Sequence, residues 1–167
     1  MLYPQHFDVI VVGGGISGLS TALKLSRAGH RITVLERDDT PMPESADAAF
    51  EWDRRGAPQV RHSHAFLARL VSLLKANEPD VLDKLFEAGA TEIKFGEDLP
   101  ATMEGFVSEP EDAELNMLTC RRTTFEWVLR RVVLDDGQVS FKTGIGVNGL
   151  VHESDVASGL ERITGVT

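Results

Sequence analysis

The most constraining feature of this sequence is a short apolar strand that leads directly into three spaced glycines near the N-terminus. Residues 9–12 (VIVV) are all β-branched, which is typical of a strand buried on both faces of a parallel sheet. The glycines follow in the spacing G-x-G-x-x-G, as Gly13, Gly15 and Gly18. Apolar residues then recur at helical spacing as far as Gly29, and a second apolar strand, residues 31–35, ends at Glu36. The stretch 7–36 therefore predicts a strand–helix–strand unit.

Each glycine has a physical role in such a unit. Gly13 permits a tight turn out of the strand, and Gly15 lets a pyrophosphate approach the backbone. Gly18 lets the helix pack closely on the sheet. The start of the helix, at Ile16 and Ser17, offers backbone N–H groups and the positive end of the helix dipole to phosphates. The pattern predicts that these five residues bind a diphosphate.

Glu36 completes the pattern at the carboxyl end of the second strand. A carboxylate at this position can accept hydrogen bonds from both hydroxyls of an adenosine ribose. Because strand, glycines, helix, second strand and acid occur in this order, the sequence predicts a dinucleotide site rather than a glycine-rich turn without a ligand. Glu36 should repel a ribose 2′-phosphate, which favours FAD or NAD over NADP. The adjacent Arg37 weakens this exclusion slightly.

Composition limits the class of protein. The 167 residues suit one ordinary domain, and the net charge of −9 disfavours nucleic acid and anionic membranes as partners. Cys120 is the single cysteine, so an internal disulfide is excluded and a reducing compartment is predicted. Because the sequence has no basic leader and no apolar stretch of membrane-spanning length, we predict a cytoplasmic protein.

The rest of the chain gives a coarse order of elements. A polar connection follows Glu36, and connections of this length are either functional segments or solvated excursions. Further elements are predicted as helices at 64–76 and 79–88, strands at 91–95 and 115–120, and a helix from Arg122. From 139 onward a β-meander is predicted. Arg130 and Arg131 are predicted to lie on the solvated side of the last helix.

Three segments together give the sequence a family resemblance. They are 8–19 (DVIVVGGGISGL) with 35–37 (LER), 61–67 (RHSHAFL) and 121–127 (RRTTFEW). With them, the chain resembles the N-terminal part of FAD-dependent monooxygenases of the aromatic-hydroxylase type. That group shares its fold with geranylgeranyl reductases and flavin halogenases.

The resemblance implies roles for individual residues. It assigns Glu36 to the adenosine ribose, and Arg122, at a helix start, to the cofactor. It places Arg61, or a neighbour such as His62, on the flavin side. Catalytic residues are not assigned. The chemistry implied is reduction of FAD by NAD(P)H, followed by oxygen transfer to a small organic substrate.

The resemblance also implies an incomplete domain. We expect an α/β, Rossmann-like FAD-binding domain that ends before its last parallel strands and its substrate domain. Its parts are the βαβ unit 7–36, a helical insertion 64–90, and a helix with a β-meander at 122–167. Such a chain is too short to be active alone, and the missing part of the protein or another chain would cover its open strand edge.

Two other functions also fit the glycine motif and its terminal acid. The same fingerprint fits an NAD-dependent dehydrogenase domain, and it fits a non-catalytic remnant that binds a nucleotide. A metal site is not predicted, because His62 and His64 are too few ligands for zinc. Cys120 lacks the neighbouring base that a nucleophile requires.

Overall fold

The computed structural model describes residues 6–57, 59, 64–94, 105, 107, 109–154, 159 and 161–167. Its helices and strands are β1 (Asp8–Val12), α1 (Ile16–Arg27), β2 (Arg31–Leu35), β3 (Ala65–Phe66), α2 (Ala68–Asn77), α3 (Pro79–Glu87), β4 (Thr91–Ile93), β5 (Met117–Thr119), α4 (Arg122–Asp135), β6 (Val139–Lys142), β7 (Leu150–Ser154) and β8 (Glu161–Val166). Short 3₁₀ helices occur at Ala48–Glu51 and Pro110–Glu114. The chain divides into two compact units. The first unit is Met1–Pro41 with Arg131–Thr167, and the second unit is Met42–Arg130.

The first unit contains a parallel sheet of three strands in the order β1-β2-β6. Val9 lies beside Ile32, and Ile32 lies beside Val139, so the three strands start level with one another. The predicted α/β fold with a parallel sheet is confirmed. β6 pairs parallel with β2 and is not part of a meander, and the antiparallel pairing predicted for this region is limited to β7 with β8.

The core of the first unit lies between the sheet and α1. Ala22 of α1 and Ile32 and Val34 of β2 are at most 3% exposed, and alternate residues of β1 and β6 pack against them. Alternation along a strand sends the intervening side chains to the other face. There Ile10 is 44% exposed and Val12 is 57% exposed. β1 also forms one edge of the sheet within the described residues.

The second unit combines the antiparallel sheet β3-β5-β4 with α2 and α3. α3 has Pro79 in its first turn, as predicted. The predicted helix start at 64 is wrong, because Ala65 and Phe66 pair with β5 and α2 begins only at Ala68. The ring of Phe66 stacks on Phe125 with a centroid distance of 4.5 Å. Tertiary pairing thus overrides the helical periodicity of this segment.

A buried cluster in the second unit fixes the connection that follows β2. Trp52 is 2% exposed, and the guanidinium groups of Arg54 and Arg130 lie 5.1 and 5.6 Å from its ring. The Arg54 Nε donates to Glu126 Oε1 at 2.6 Å, with both side chains at most 3% exposed. Within residues 48–57 the side chains of Ala49, Trp52, Arg54 and Ala57 are therefore packed, while the other residues are exposed. The predicted solvated position of Arg130 is wrong, since it is 5% exposed.

We expect Glu126→Ala to lower the free energy of unfolding by about 3–5 kcal/mol, because it removes the carboxylate from a buried ion pair. Urea unfolding of the purified chain, followed by tryptophan fluorescence, measures this change. Glu92→Ala is the matched control. Its pair with Lys75 has a similar length of 2.7 Å, but Lys75 is 47% exposed, so the loss should be about 0–1 kcal/mol. Equal losses in the two variants would contradict the assignment of Glu126 as a buried anchor.

Candidate dinucleotide-binding site

The turn between β1 and α1 requires glycine at its first and last positions. Gly13 has a φ of +98°, a conformation that residues with a side chain rarely adopt. Its backbone N–H donates to the carbonyl of Leu35 at 2.8 Å, which ties the turn to the end of β2. A Cβ added to Gly18 would lie 1.9 Å from the carbonyl oxygen of Gly13. The helix can therefore start this close to the strand only when residue 18 has no side chain.

The middle of the turn is open. Gly15 is the N-cap of α1, and a Cβ added there would meet nothing within 4 Å. The first helical hydrogen bond runs from Leu19 N to Gly15 O at 2.9 Å. The N–H groups of Ile16, Ser17 and Gly18 precede this bond and have no acceptor within the helix. Together with the helix dipole, they form a position suited to an anionic group.

The Glu36 carboxylate lies at the mouth of this turn. Its Oε2 accepts a hydrogen bond from Gly14 N at 2.7 Å, and its Oε1 accepts one from Asp38 N at 2.8 Å. The backbone of Glu36 is also held, since its N–H donates to Lys142 O at 2.8 Å and its carbonyl accepts from Ile145 N at 3.0 Å. The side chain is buried. These four hydrogen bonds fix both the position and the plane of the carboxylate.

This arrangement is chemically suited to a ribose beside a diphosphate. The carboxylate accepts from hydroxyl groups, while the N–H groups of the helix start donate to phosphate oxygens. The site thus presents an acceptor and a set of donors side by side.

Three residues of this site are absent from the sequence prediction. Gly14 is buried between Glu36 and Phe141, and a Cβ on it would lie 2.5 Å from Phe141 Cζ. Asp38 is buried as well, and its Oδ1 accepts from Thr40 N at 2.9 Å and from Thr40 Oγ1 at 2.6 Å. Gly14 occupies the first x position of the G-x-G-x-x-G motif, where any residue is allowed. Phe141 comes from a strand far along the chain. The motif spacing therefore carries no signal for either residue.

Of the four remaining predicted residues, the structure describes Arg37 and Arg122. Arg37 follows Glu36 and is exposed. Arg122 begins α4 in the second unit, with its Nη2 3.7 Å from Glu126 Oε2. Arg61 and His62 are outside the described residues. The structure thus brings together the glycine turn, the start of α1 and Glu36.

Cys120 is half-buried, and its Sγ lies 3.4 Å from the carbonyl oxygen of Arg121. Burial raises the pKa of its thiol to about 11, and the positive charge of Arg121 opposes this rise. Within the described ranges, no group of three or more His, Cys, Asp or Glu side chains is arranged to hold a metal ion. No helix among those residues is long and apolar enough to cross a membrane.

A parallel βαβ unit with a glycine turn and an acid at the tip of its second strand defines a Rossmann-like dinucleotide-binding fold. Residues 8–81 match the family described as DAO, FAD dependent oxidoreductase. Over these residues, which make up less than half of the chain, the sequence is similar to FAD-dependent oxidoreductases.

Individual proteins match over most of this chain. Protein Rv3254 of Mycobacterium tuberculosis (strain ATCC 25618 / H37Rv) is 29% identical over 161 residues, which cover 94% of this chain and 31% of that protein. The structure of p-nitrophenol 4-monooxygenase PnpA from Pseudomonas putida DLL-E4 matches with a TM-score of 0.59 at 20% identity, over 91% of this chain and 35% of that one. OxyS anhydrotetracycline hydroxylase from Streptomyces rimosus matches with a TM-score of 0.57 at 25% identity, over 90% of this chain and 26% of that one. The chain spans about a third of the length of these proteins.

Two glycine substitutions in this turn should differ in their effect on the free energy of unfolding. Gly18→Ala should lower the free energy of unfolding by about 3 kcal/mol, because its methyl group would collide with the backbone of Gly13. Gly15→Ala should cost about 1 kcal/mol or less, because its methyl group points into open space. Chemical denaturation of both variants measures the difference. Equal stability of the two variants would show that the turn is looser than described.

Cys120 should react slowly with iodoacetamide. With a thiol pKa of about 11, roughly one thiol in a thousand is ionised at pH 8. In the unfolded chain the pKa returns to about 8.5, so alkylation in 8 M urea should be faster by about two orders of magnitude. Mass spectrometry of timed samples measures both rates. Similar rates would mean that Cys120 is not protected by burial.

Proposed function

We propose that this chain binds FAD at the glycine turn and forms the cofactor-binding portion of a flavin-dependent monooxygenase. The complete protein would hydroxylate or epoxidise a small organic substrate, using NAD(P)H and oxygen. The observation that carries the proposal is the hydrogen bond from Gly14 N to Glu36 Oε2, which holds an acceptor for ribose hydroxyls beside the open helix start.

The residues present fit the adenosine diphosphate half of FAD. Gly15 leaves room for a phosphate, and the N–H groups of Ile16, Ser17 and Gly18 supply donors to it. Glu36 supplies the acceptor for the ribose hydroxyls. When bound, the flavin supplies the transfer of electrons from NAD(P)H to oxygen. The chain's own residues bind and orient it.

The monooxygenase assignment has separate support. The solved structures named above include a 4-monooxygenase and a hydroxylase, and the segments 61–67 and 121–127 resemble those of the aromatic-hydroxylase type. On that resemblance we include Arg61, His62 and Arg122 among the cofactor-binding residues, and on the resemblance of segment 35–37 we include Arg37. Each of these assignments is a proposal, and substitution of the single residue can test it.

The test is titration of the purified 167-residue chain with FAD, followed by quenching of flavin fluorescence. Glu36→Gln should weaken FAD binding by at least about tenfold, because hydrogen bonds to a charged acceptor contribute about 1.5–3 kcal/mol. Asp39→Asn, which removes an exposed acid three residues further on, should leave the affinity unchanged.

The outcomes distinguish the candidate functions. FAD binding that depends on Glu36, without NAD(P)H oxidation by this chain alone, supports a cofactor-binding portion. Tight binding of NAD in place of FAD would favour a dehydrogenase domain. If Glu36→Gln and the wild-type chain bind FAD equally well, the proposed site is wrong.

A further inference from the structure

We propose that Phe141 is a positioning residue for Glu36, and that its ring is the reason that residue 14 is glycine. This inference rests on the proposed binding of an adenosine diphosphate group. Phe141 lies in β6, at a long sequence distance from the glycine turn, and in this role it does not itself contact the ligand. It sets the distance between the turn that binds phosphate and the carboxylate that binds ribose.

The space beside Gly14 is filled by Phe141 and Glu36. At Gly14, an added Cβ would lie 2.5 Å from Phe141 Cζ, 3.0 Å from Glu36 Oε2 and 3.1 Å from Glu36 Cβ. Carbon atoms that are not bonded approach to about 3.5 Å at closest without strain. The turn, the ring and the carboxylate therefore meet at one point, and any side chain at residue 14 would force at least one of them to move.

The ring of Phe141 is anchored in the core of the first unit. Phe141 lies beside Val34 in the register of β6 and β2, and it packs against the buried cluster of Ala22, Ile32 and Val34. Its position is thus set by the core of the first unit. Phe141 is half-buried, and moving its ring away from Gly14 would cost packing contacts with this cluster.

β6 and the residues after it also hold the backbone of Glu36. The residue after Phe141, Lys142, accepts a hydrogen bond from Glu36 N at 2.8 Å, and Ile145 N donates to Glu36 O at 3.0 Å. The backbone hydrogen bonds to Lys142 and Ile145 fix the position of the Glu36 backbone. The ring of Phe141 fixes how closely Gly14 N approaches the Glu36 carboxylate. A ligand with a diphosphate joined to an unsubstituted ribose needs this spacing.

A rescue experiment tests the inference, with ADP as the probe and isothermal titration calorimetry as the measurement. Gly14→Ala should weaken ADP binding by at least about tenfold, because displacement of the carboxylate loses hydrogen bonds to a charged group. In Gly14→Ala/Phe141→Leu, the smaller side chain makes room for the added methyl group. The double variant should therefore recover an affinity within about threefold of the wild-type chain, or about 0.65 kcal/mol.

Val139→Ala is the matched control. Val139 lies in the same strand and packs on the same cluster, but it pairs with Ile32 at the other end of the strand. It should lower the melting temperature without changing ADP affinity. Phe141→Leu alone should weaken ADP binding.

A second measurement needs no ligand. Exchange of the Gly14 amide proton with deuterium, followed by NMR, reports the hydrogen bond to Glu36. Exchange should be faster by about tenfold in Phe141→Leu and unchanged in Val139→Ala.

The inference is overturned if Gly14→Ala binds ADP like the wild-type chain, or if the folded double variant binds no better than Gly14→Ala. It is also overturned if Phe141→Leu leaves the Gly14 exchange rate unchanged. A wild-type chain that binds neither ADP nor FAD would instead refute the proposed function, and the exchange measurement would still decide the role of Phe141.

Discussion

The hydrogen bond between Gly14 N and Glu36 Oε2 is the interaction on which the candidate site depends. At 2.7 Å it joins the turn after β1 to the residue after β2, and it is buried. A backbone donor to a charged acceptor is among the stronger hydrogen bonds in proteins. It holds the carboxylate next to the helix start, where phosphate and ribose of one ligand can be bound together. Without it, the turn and the acid would be two separate features of the sheet edge.

This hydrogen bond depends on the register of the strands, on the glycine turn and on the packing of α1 against the sheet. The parallel register aligns Val12 with Leu35, so that the two strands end together. Gly13 then turns the chain, and Gly18 brings the helix back within contact of the turn. The core beneath, between α1 and the sheet, keeps this geometry rigid. Each of these requirements limits the choice of residue, which is why small and β-branched residues dominate this stretch.

The sequence predicts those parts of the structure that local geometry determines. The glycine spacing, the buried strands and the terminal acid predict β1, α1, β2 and the place of Glu36, because turn, helix and strand each need particular residues in a short window. The boundaries of α3 and α4 follow from Pro79 and from the apolar stripe after Arg122 for the same reason.

Contacts between distant residues could not be predicted. The fit of Gly14 against Phe141 depends on which strand pairs with β2, and no spacing in the sequence specifies that partner. Ala65 and Phe66 are apolar residues at helical spacing, yet they pair with β5. Arg54 and Arg130 look like surface residues until the position of Glu126 and Trp52 is known. In each case a tertiary partner decides the outcome.

A crystal structure of this chain with ADP would test directly whether Glu36 and the helix start bind one ligand. Both ribose hydroxyls should lie within hydrogen-bond distance of the Glu36 carboxylate, with the diphosphate at the N–H groups of residues 16–18. ADP bound elsewhere on the chain, or bound with its ribose away from Glu36, would contradict this expectation.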